Sequence, residues 1–114
     1  MSNPYDLAHE LVRSLKESEV FLEMKKLKGE IEANESYKEM LEGYHRLHID
    51  LQRVRMQGME VTDELKERAE KTTTAIQEIP VLMQYLKEEE RFSILLSDIQ
   101  KIMAEPVQEI MNFS

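Results

Sequence analysis

Three histidines and their neighbouring carboxylates are the residues of this chain best suited to metal chemistry. Glu42 and His45 have the E-x-x-H spacing that places a carboxylate and an imidazole on one helix face, as in di-iron bundles. His48 follows three residues later, and Asp6 and His9 repeat the spacing with an aspartate. A complete site also needs inward carboxylates from other helices. The sequence therefore favours surface or boundary histidines, and a metal sensor or metal-dependent enzyme using Glu42, His45 and His48 is the alternative hypothesis.

Other kinds of catalytic chemistry have no support in the residue pattern. The chain has no cysteine, which excludes a thiolate nucleophile and a cysteine-ligated metal or iron–sulfur cluster. No serine lies in a G-x-S-x-G elbow, and there is no glycine-rich phosphate loop. Residues 88–90 are three glutamates, but helix neighbours point about 100° apart and cannot converge on one substrate. We therefore predict a protein that is not an enzyme, without catalytic residues, cofactor or small-molecule substrate.

The charge balance limits the classes of partner. The 114 residues include 15 Lys and Arg against 23 Asp and Glu, and the net charge of −8 repels a phosphate backbone. Direct binding of nucleic acid is therefore not expected. The polar start has no apolar signal-peptide core, and no run approaches the roughly 20 apolar residues of a membrane span. A cytoplasmic protein is expected.

Two long helices dominate the predicted architecture. Apolar residues recur at alternating three- and four-residue steps over about 35–57 and 80–103, which is the period of an amphipathic helix. Pro80 suits the first turn of the second helix, and Pro106 predicts its end. After Pro106 the sequence predicts a last short turn that carries Val107, Ile110, Met111 and Phe113. Shorter helices precede and separate the long ones, with Asn3, Ser18, Asn34 and Thr62 as predicted caps and Gly58 as a predicted terminator. The predicted fold class is all-α, a single domain over 1–114 built as a helical bundle around an antiparallel hairpin of long helices.

The apolar stripes of the two long helices form a predicted seam. One of its positions is charged, because Glu89 falls on the stripe that runs from Leu82 through Phe92. We expect either that Glu89 meets an Arg or Lys of a neighbouring helix or subunit, or that the seam rotates and Glu89 reaches solvent. A stripe on one helix does not separate intramolecular core from subunit interface, so both remain open. The predicted seam comprises Tyr37, Leu41, Tyr44, Leu51, Leu82, Tyr85, Glu89, Phe92, Leu96, Ile99 and Met103.

Three segments carry a resemblance to a known family. They are NPYDLAHELVRSLKESEVF at the start, ANESYKEMLEGYHRLHIDLQ in the middle and YLKEEERFSILLSDIQKIMAEPVQEI near the end. Together they cover nearly the whole chain, and their most specific features are the acidic, Arg and Phe block at 89–92 and the late Pro106. On these residues the chain resembles the YlbF/YmcA family, and in particular its YheA branch.

The resemblance implies an all-α cytoplasmic protein that self-associates. The better-known members of the family are non-enzymatic regulators of competence, sporulation and biofilm development, acting in a complex linked to phosphorelay signalling and to RNA processing by RNase Y. Those members carry cysteines associated with an iron–sulfur cluster. Because this chain has no cysteine, we do not expect it to bind such a cluster. We therefore expect a homodimer or higher homo-oligomer that acts as a regulator or adaptor through an unidentified protein partner.

Overall fold

The structure is a computed structural model that describes residues 3–113 and contains five α-helices in that range. They are α1 (Pro4–Glu17), α2 (Glu19–Glu32), α3 (Glu35–Met56), α4 (Asp63–Gln77) and α5 (Pro80–Met111). No strand occurs within the described range. The predicted all-α class is confirmed, and α3 agrees with the predicted 35–57 helix to within one residue.

The predicted polar side chains cap the first four helices. Asn3, Ser18, Asn34 and Thr62 each accept a hydrogen bond from the backbone N–H three residues further along, at 2.9 to 3.3 Å. Each bond satisfies an N–H group that the first turn of a helix leaves without an intrahelical partner, and such a cap stabilises a helix by about 1 kcal/mol. Short polar residues at these positions therefore determine where the four helices begin.

A glycine ends α3, as predicted. Gly58 has a φ of 69°, in the left-handed region that glycine adopts without steric cost. Its N–H donates to the carbonyl of Arg55, and the N–H of Met59 donates to the carbonyl of Val54, both at 3.1 Å. These two bonds form a Schellman motif, which satisfies the last carbonyls of α3 before the chain turns towards α4.

The end of α5 differs from the prediction. We expected the helix to stop near residue 103 and to be closed by Pro106, but α5 runs through Pro106 to Met111. A proline inside a helix removes one N–H bond, to the carbonyl four residues earlier, which belongs to Ile102. Because Ile102 is 64% exposed, water can hydrogen-bond that carbonyl. The apolar period continues past the proline, and the helix continues with it.

The chain divides into two units that differ in how much core they contain. Unit 1 comprises Met1–Lys25 and Leu86–Ser114, and unit 2 comprises Lys26–Tyr85. Among the described residues, unit 2 holds six of the seven buried apolar side chains, namely Leu27, Ile31, Leu41, Leu47, Ile76 and Leu82. Unit 1 holds the seventh, Val20. That the whole chain folds as one domain stays a prediction.

In unit 2, α3 and α4 pack side by side and are joined by an ion pair. Arg68 on α4 donates to a carboxylate oxygen of Asp50 on α3 at 2.9 Å. A second pair, Lys71 with Glu67 at 3.0 Å, lies along the exposed side of α4. Exposed pairs of this kind contribute about 0–1 kcal/mol each, so the buried leucines and isoleucines supply most of the stability of unit 2.

Candidate interaction surface

The predicted seam divides between the two units. In unit 2, Leu41 is 9% exposed and Leu82 has no exposed surface, so these two side chains belong to the intramolecular core. The other unit 2 members are half-buried, namely Tyr37, Tyr44, Leu51 and Tyr85. The unit 1 members are Glu89, Phe92, Leu96, Ile99 and Met103. As a surface for association between chains, the seam stays a prediction.

Tyr44 is the centre of a small aromatic cluster on α3. The ring centroids of Tyr44 and His48 lie 4.4 Å apart, and those of Tyr44 and His45 lie 6.1 Å apart. Both distances are in the range of favourable aromatic contact. His45 is half-buried and His48 is exposed, so the two imidazoles pack against one tyrosine ring at the boundary of unit 2.

The carboxylates and imidazoles of the alternative metal hypothesis do not come together as ligands. Glu42 and His48 are exposed, and His9 is exposed on α1. Within residues 3–113, no group of three or more His, Asp or Glu side chains has a geometry that could hold a metal ion. The E-x-x-H spacing of Glu42 and His45 therefore lacks the further ligands that a complete site needs.

Glu89 is half-buried on α5 and has an interaction partner. The nearby cation Arg91 is engaged by a different residue, since its Nη1 donates to both carboxylate oxygens of Glu88 at 2.9 and 3.0 Å. Arg91 and Glu88 are three residues apart, so this pair lies along one side of the helix. A role for Glu89 in selecting a neighbouring subunit stays a prediction.

In unit 1, the seam residue Phe92 belongs to an aromatic pair between α2 and α5. The ring centroids of Phe21 on α2 and Phe92 on α5 lie 6.1 Å apart, with the ring planes at 52°. Leu96 and Ile99 further along α5 remain half-buried, whereas Met103 is 60% exposed. The burial of the seam side chains of α5 therefore decreases between Ile99 and Met103.

The last turns of α5 carry an extensive exposed apolar surface. Five helical side chains are 53–75% exposed, namely Ile102, Met103, Val107, Ile110 and Met111. At about 100° per residue they share one half of the helix circumference. The other half is polar, with Lys101, Glu105, Gln108 and Glu109. Phe113, just beyond the helix, is 95% exposed, and we call the five side chains together with Phe113 the α5 apolar face.

The first helix of unit 1 is also amphipathic without being buried. The separation of apolar from polar residues is stronger in α1 than in the other four helices, yet α1 contains no buried residue. Tyr5 is 80% exposed and Val12 is 46% exposed, although both lie on its apolar stripe. Amphipathic helices bury their apolar stripe in globular proteins, so α1 adds to the uncovered apolar surface of unit 1.

The sequence predicted the outer apolar residues of α5 as a separate short turn after Pro106, with Val107, Ile110, Met111 and Phe113, and did not join them to the seam. The predicted seam stopped at Met103 because Pro106 was interpreted as the end of the helix. The signal that identifies the rest is the three- and four-residue spacing itself, which continues from Met103 through Val107 to Ile110. The exposure of these side chains could not be read from that spacing.

Two open clefts lie on the surface of unit 2 between α3 and α4. One has a volume of about 290 Å³ and is lined by Met40, Gly43 and Ala75 among others. The other has a volume of about 390 Å³, and Arg53 of α3 and Leu65 of α4 are among the residues that line it. Charged side chains of both signs line each cleft, namely Glu39 and Lys71 in the first and Asp50, Glu64, Arg53 and Arg68 in the second.

Among residues 3–113, no helix combines the length and the apolar character that crossing a bilayer requires.

Comparison with known proteins gives a family match over most of the chain. A family model described as "Control of competence regulator ComK, YlbF/YmcA" matches residues 5–108. A UPF0342 protein of Alkalihalophilus pseudofirmus is 40% identical over 110 residues, which cover 96% of this chain and 93% of that protein. The UPF0342 protein YheA of Bacillus subtilis is 35% identical over 108 residues, which cover 95% and 92%.

Solved structures similar to this chain include two from Bacillus species. The structure of yheA from Bacillus subtilis matches with a TM-score of 0.66 and 28% identity, covering 96% of this chain and 99% of that one. A protein of unknown function (DUF964) from Bacillus stearothermophilus matches in fold, with a TM-score of 0.73, 22% identity and 95% coverage of both chains. The predicted family resemblance is confirmed. The chain belongs to the YlbF/YmcA family, whose model is described as a control of competence regulator.

Proposed function

We propose that this chain is a non-enzymatic cytoplasmic protein that forms a homodimer through the α5 apolar face and acts as a regulator or adaptor by binding other proteins. The observation that carries the proposal is the exposure of five large apolar side chains along one half of the end of α5, with Phe113 exposed just beyond the helix. Soluble monomers rarely expose contiguous apolar patches larger than a few hundred Å², and larger patches mark interaction sites. The description of the family as a competence regulator supports the regulatory part.

The area of the α5 apolar face is sufficient for an interface between two copies of this chain. Full burial of one large apolar side chain contributes about 1.5–3 kcal/mol at about 25 cal/mol per Å², which corresponds to roughly 60–120 Å² each. Six such side chains offer roughly 500 Å² per chain, so two faces together bury on the order of 1,000 Å². That area reaches the lower bound for a specific interface, and the exposed stripe of α1 in the same unit adds to it.

Charge at the face does not oppose the pairing. Two chains of net charge −8 repel each other at long range. On the last turns of α5, however, Glu105 and Glu109 lie outside the apolar half of the helix. Two faces can therefore meet without burying a charged group. A patch that is identical on both chains is also what a two-fold homodimer requires.

Size-exclusion chromatography with light scattering tests the self-association. We expect the wild-type chain to have twice the monomer mass of 13.5 kDa. The double variant Met103→Glu with Ile110→Glu is expected to be a monomer, because dimerisation would bury unpaired carboxylates. The matched control, Lys101→Gln with Gln108→Glu, changes the charge by the same amount on the polar half and is expected to stay dimeric. A monomeric wild type, or equal behaviour of the two double variants, would contradict the proposal.

Affinity capture from cytoplasm tests the regulatory part separately. We expect the wild-type chain to recover a second protein in a fixed ratio, because an adaptor needs a partner other than itself. The same capture with the polar-half control variant is expected to recover the same protein. Recovery of the homodimer alone would contradict the adaptor role and leave self-association standing.

A further inference from the structure

Methionine is the only sulfur-containing residue type of this chain, which has eight methionines and no cysteine. With no thiol to react first, exposed thioethers are the side chains most open to oxidation by a peroxide. Within residues 3–113, the exposed methionines are Met56, Met59, Met83, Met103 and Met111. The last two belong to the α5 apolar face, so their oxidation would change the surface proposed above for self-association.

Met103 lies at the middle of the α5 apolar face and Met111 at its edge. At about 100° per residue, the helical part of the face spans about 180° from Ile102 to Met111, and Met103 lies about 100° from Ile102. Met103 is 60% exposed and Met111 is 71% exposed. Both side chains are therefore open to solvent in the single chain, and pairing of two faces would enclose Met103 first.

The reaction is the transfer of one oxygen atom from hydrogen peroxide to the thioether. A lone pair of the sulfur attacks one peroxide oxygen, so that an S–O bond forms and the O–O bond breaks. The sulfur is oxidised by two electrons, the peroxide is reduced, and its second oxygen leaves as water after a proton transfer through the solvent. The product is a sulfoxide, which replaces a flexible apolar side chain by a polar one that accepts hydrogen bonds.

We propose that Met103 and Met111 are oxidation sites through which a peroxide weakens the dimer, which rests on the self-association proposed above. The other side chains of the α5 apolar face are Ile, Val and Phe, and they have no hydrogen-bond donor. Burying a sulfoxide among them leaves a polar group unsatisfied, which opposes association. In a two-fold pair both chains contribute the same residues, so the unfavourable burial occurs twice. Enzymatic reduction of the sulfoxides restores the apolar side chains and, with them, the dimer.

The same geometry predicts that dimerisation protects Met103 from oxidation. In a pair of chains the face is enclosed, so peroxide reaches this thioether in the dissociated chain. The rate of sulfoxide formation at Met103 is therefore expected to fall as the protein concentration rises. Met56 is 87% exposed in unit 2, outside the face, and its rate should not depend on protein concentration. Peptide mass spectrometry after short peroxide treatment measures both rates in one sample.

Light scattering before and after peroxide treatment tests the inference on the full chain. Once mass spectrometry shows sulfoxide at both positions, we expect the dissociation constant of the wild-type dimer to rise roughly a hundredfold. Met103→Leu with Met111→Leu keeps an apolar face of similar volume without sulfur, and it should stay dimeric through the same treatment. The matched control, Met56→Leu with Met59→Leu, removes two exposed methionines of unit 2 and should lose its dimer as the wild type does.

Three results would overturn the inference. They are an unchanged wild-type dimer with both sulfoxides formed, equal weakening of the Met103→Leu, Met111→Leu variant, and an oxidation rate at Met103 that does not depend on protein concentration. The second would assign the effect to oxidation elsewhere in the chain. The untreated sample separates this inference from the proposed self-association. A dimer that survives oxidation refutes the oxidation sites alone, whereas a wild type that is monomeric before treatment refutes the self-association itself.

Discussion

The rings of Phe21 and Phe92 lie 6.1 Å apart and join α2 to α5 in a unit whose described part contains one buried side chain, Val20. Unit 2, in contrast, has a core of six buried side chains supplied by four helices. Local stability follows the amount of buried apolar contact, so the two units are expected to differ in it. Because unit 1 depends on a few partly exposed contacts, we expect it to be the less stable of the two units.

Phe92→Ala removes one ring of the aromatic pair in unit 1. Full truncation of a buried Phe costs about 3–5 kcal/mol, and because Phe92 is half-buried we expect a loss of about 1–3 kcal/mol in the free energy of unfolding. Urea unfolding followed by circular dichroism measures it. Ile94→Ala, two residues on and 56% exposed, is the control and should stay within about 0.5 kcal/mol of wild type. Equal effects of the two variants would mean that the aromatic pair contributes nothing specific.

Leu82→Ala probes the core of unit 2. Leu82 has no exposed surface, so its truncation leaves a cavity and is expected to cost about 2–5 kcal/mol. The neighbouring Met83 is 40% exposed, and Met83→Ala should cost clearly less. Thermal unfolding at one protein concentration compares the two. A Leu82→Ala variant as stable as wild type would show that the start of α5 is not part of this core.

Two glycine-to-alanine substitutions are expected to have opposite signs. Gly58 has a φ of 69°, where an added Cβ clashes with its own backbone, so Gly58→Ala should cost about 1–2 kcal/mol. Gly29 lies inside α2, and a Cβ there meets nothing within 4 Å. Gly29→Ala should therefore stabilise the helix by about 0.5–1 kcal/mol. Chemical denaturation measures both, and a stabilising Gly58→Ala would contradict the Schellman ending of α3.

Local signals explain why the sequence predicted the helices better than the surfaces. The cap at Asn34 and the terminator at Gly58 depend on residues within five positions of each other, so they can be predicted without knowing the fold. The predicted end of α5 was wrong because Pro106 is only a local signal for a helix end. Ile102 is exposed, so water can hydrogen-bond the carbonyl that loses its N–H partner, and the proline does not stop the helix. Burial depends on packing between distant segments, and for that reason Leu82 and Met103 looked equivalent on the seam although one is buried and the other exposed.

Metal analysis tests the alternative hypothesis built on Glu42, His45 and His48. The structure brings no third ligand group to this pair of histidines within residues 3–113, so protein purified without a histidine tag should contain less than one equivalent of iron, manganese or zinc. His45→Ala is the paired variant and should leave the metal content unchanged. One equivalent of metal in the wild type that is lost in His45→Ala would establish a site and contradict this expectation.

The absence of cysteine allows the proposed dimer contact to be mapped with single engineered thiols. In a two-fold pair, a residue near the axis meets its own copy, and Val107 lies midway along the α5 apolar face. A disulfide forms when the two Cβ atoms approach within about 3.5–4.5 Å, so Val107→Cys is expected to give a covalent dimer under mild oxidation. Gln108→Cys, one residue on but on the polar half of the helix, should stay monomeric on a non-reducing gel. Equal cross-linking of the two variants would indicate random collision, and cross-linking of Gln108→Cys alone would place the contact on the opposite side of α5.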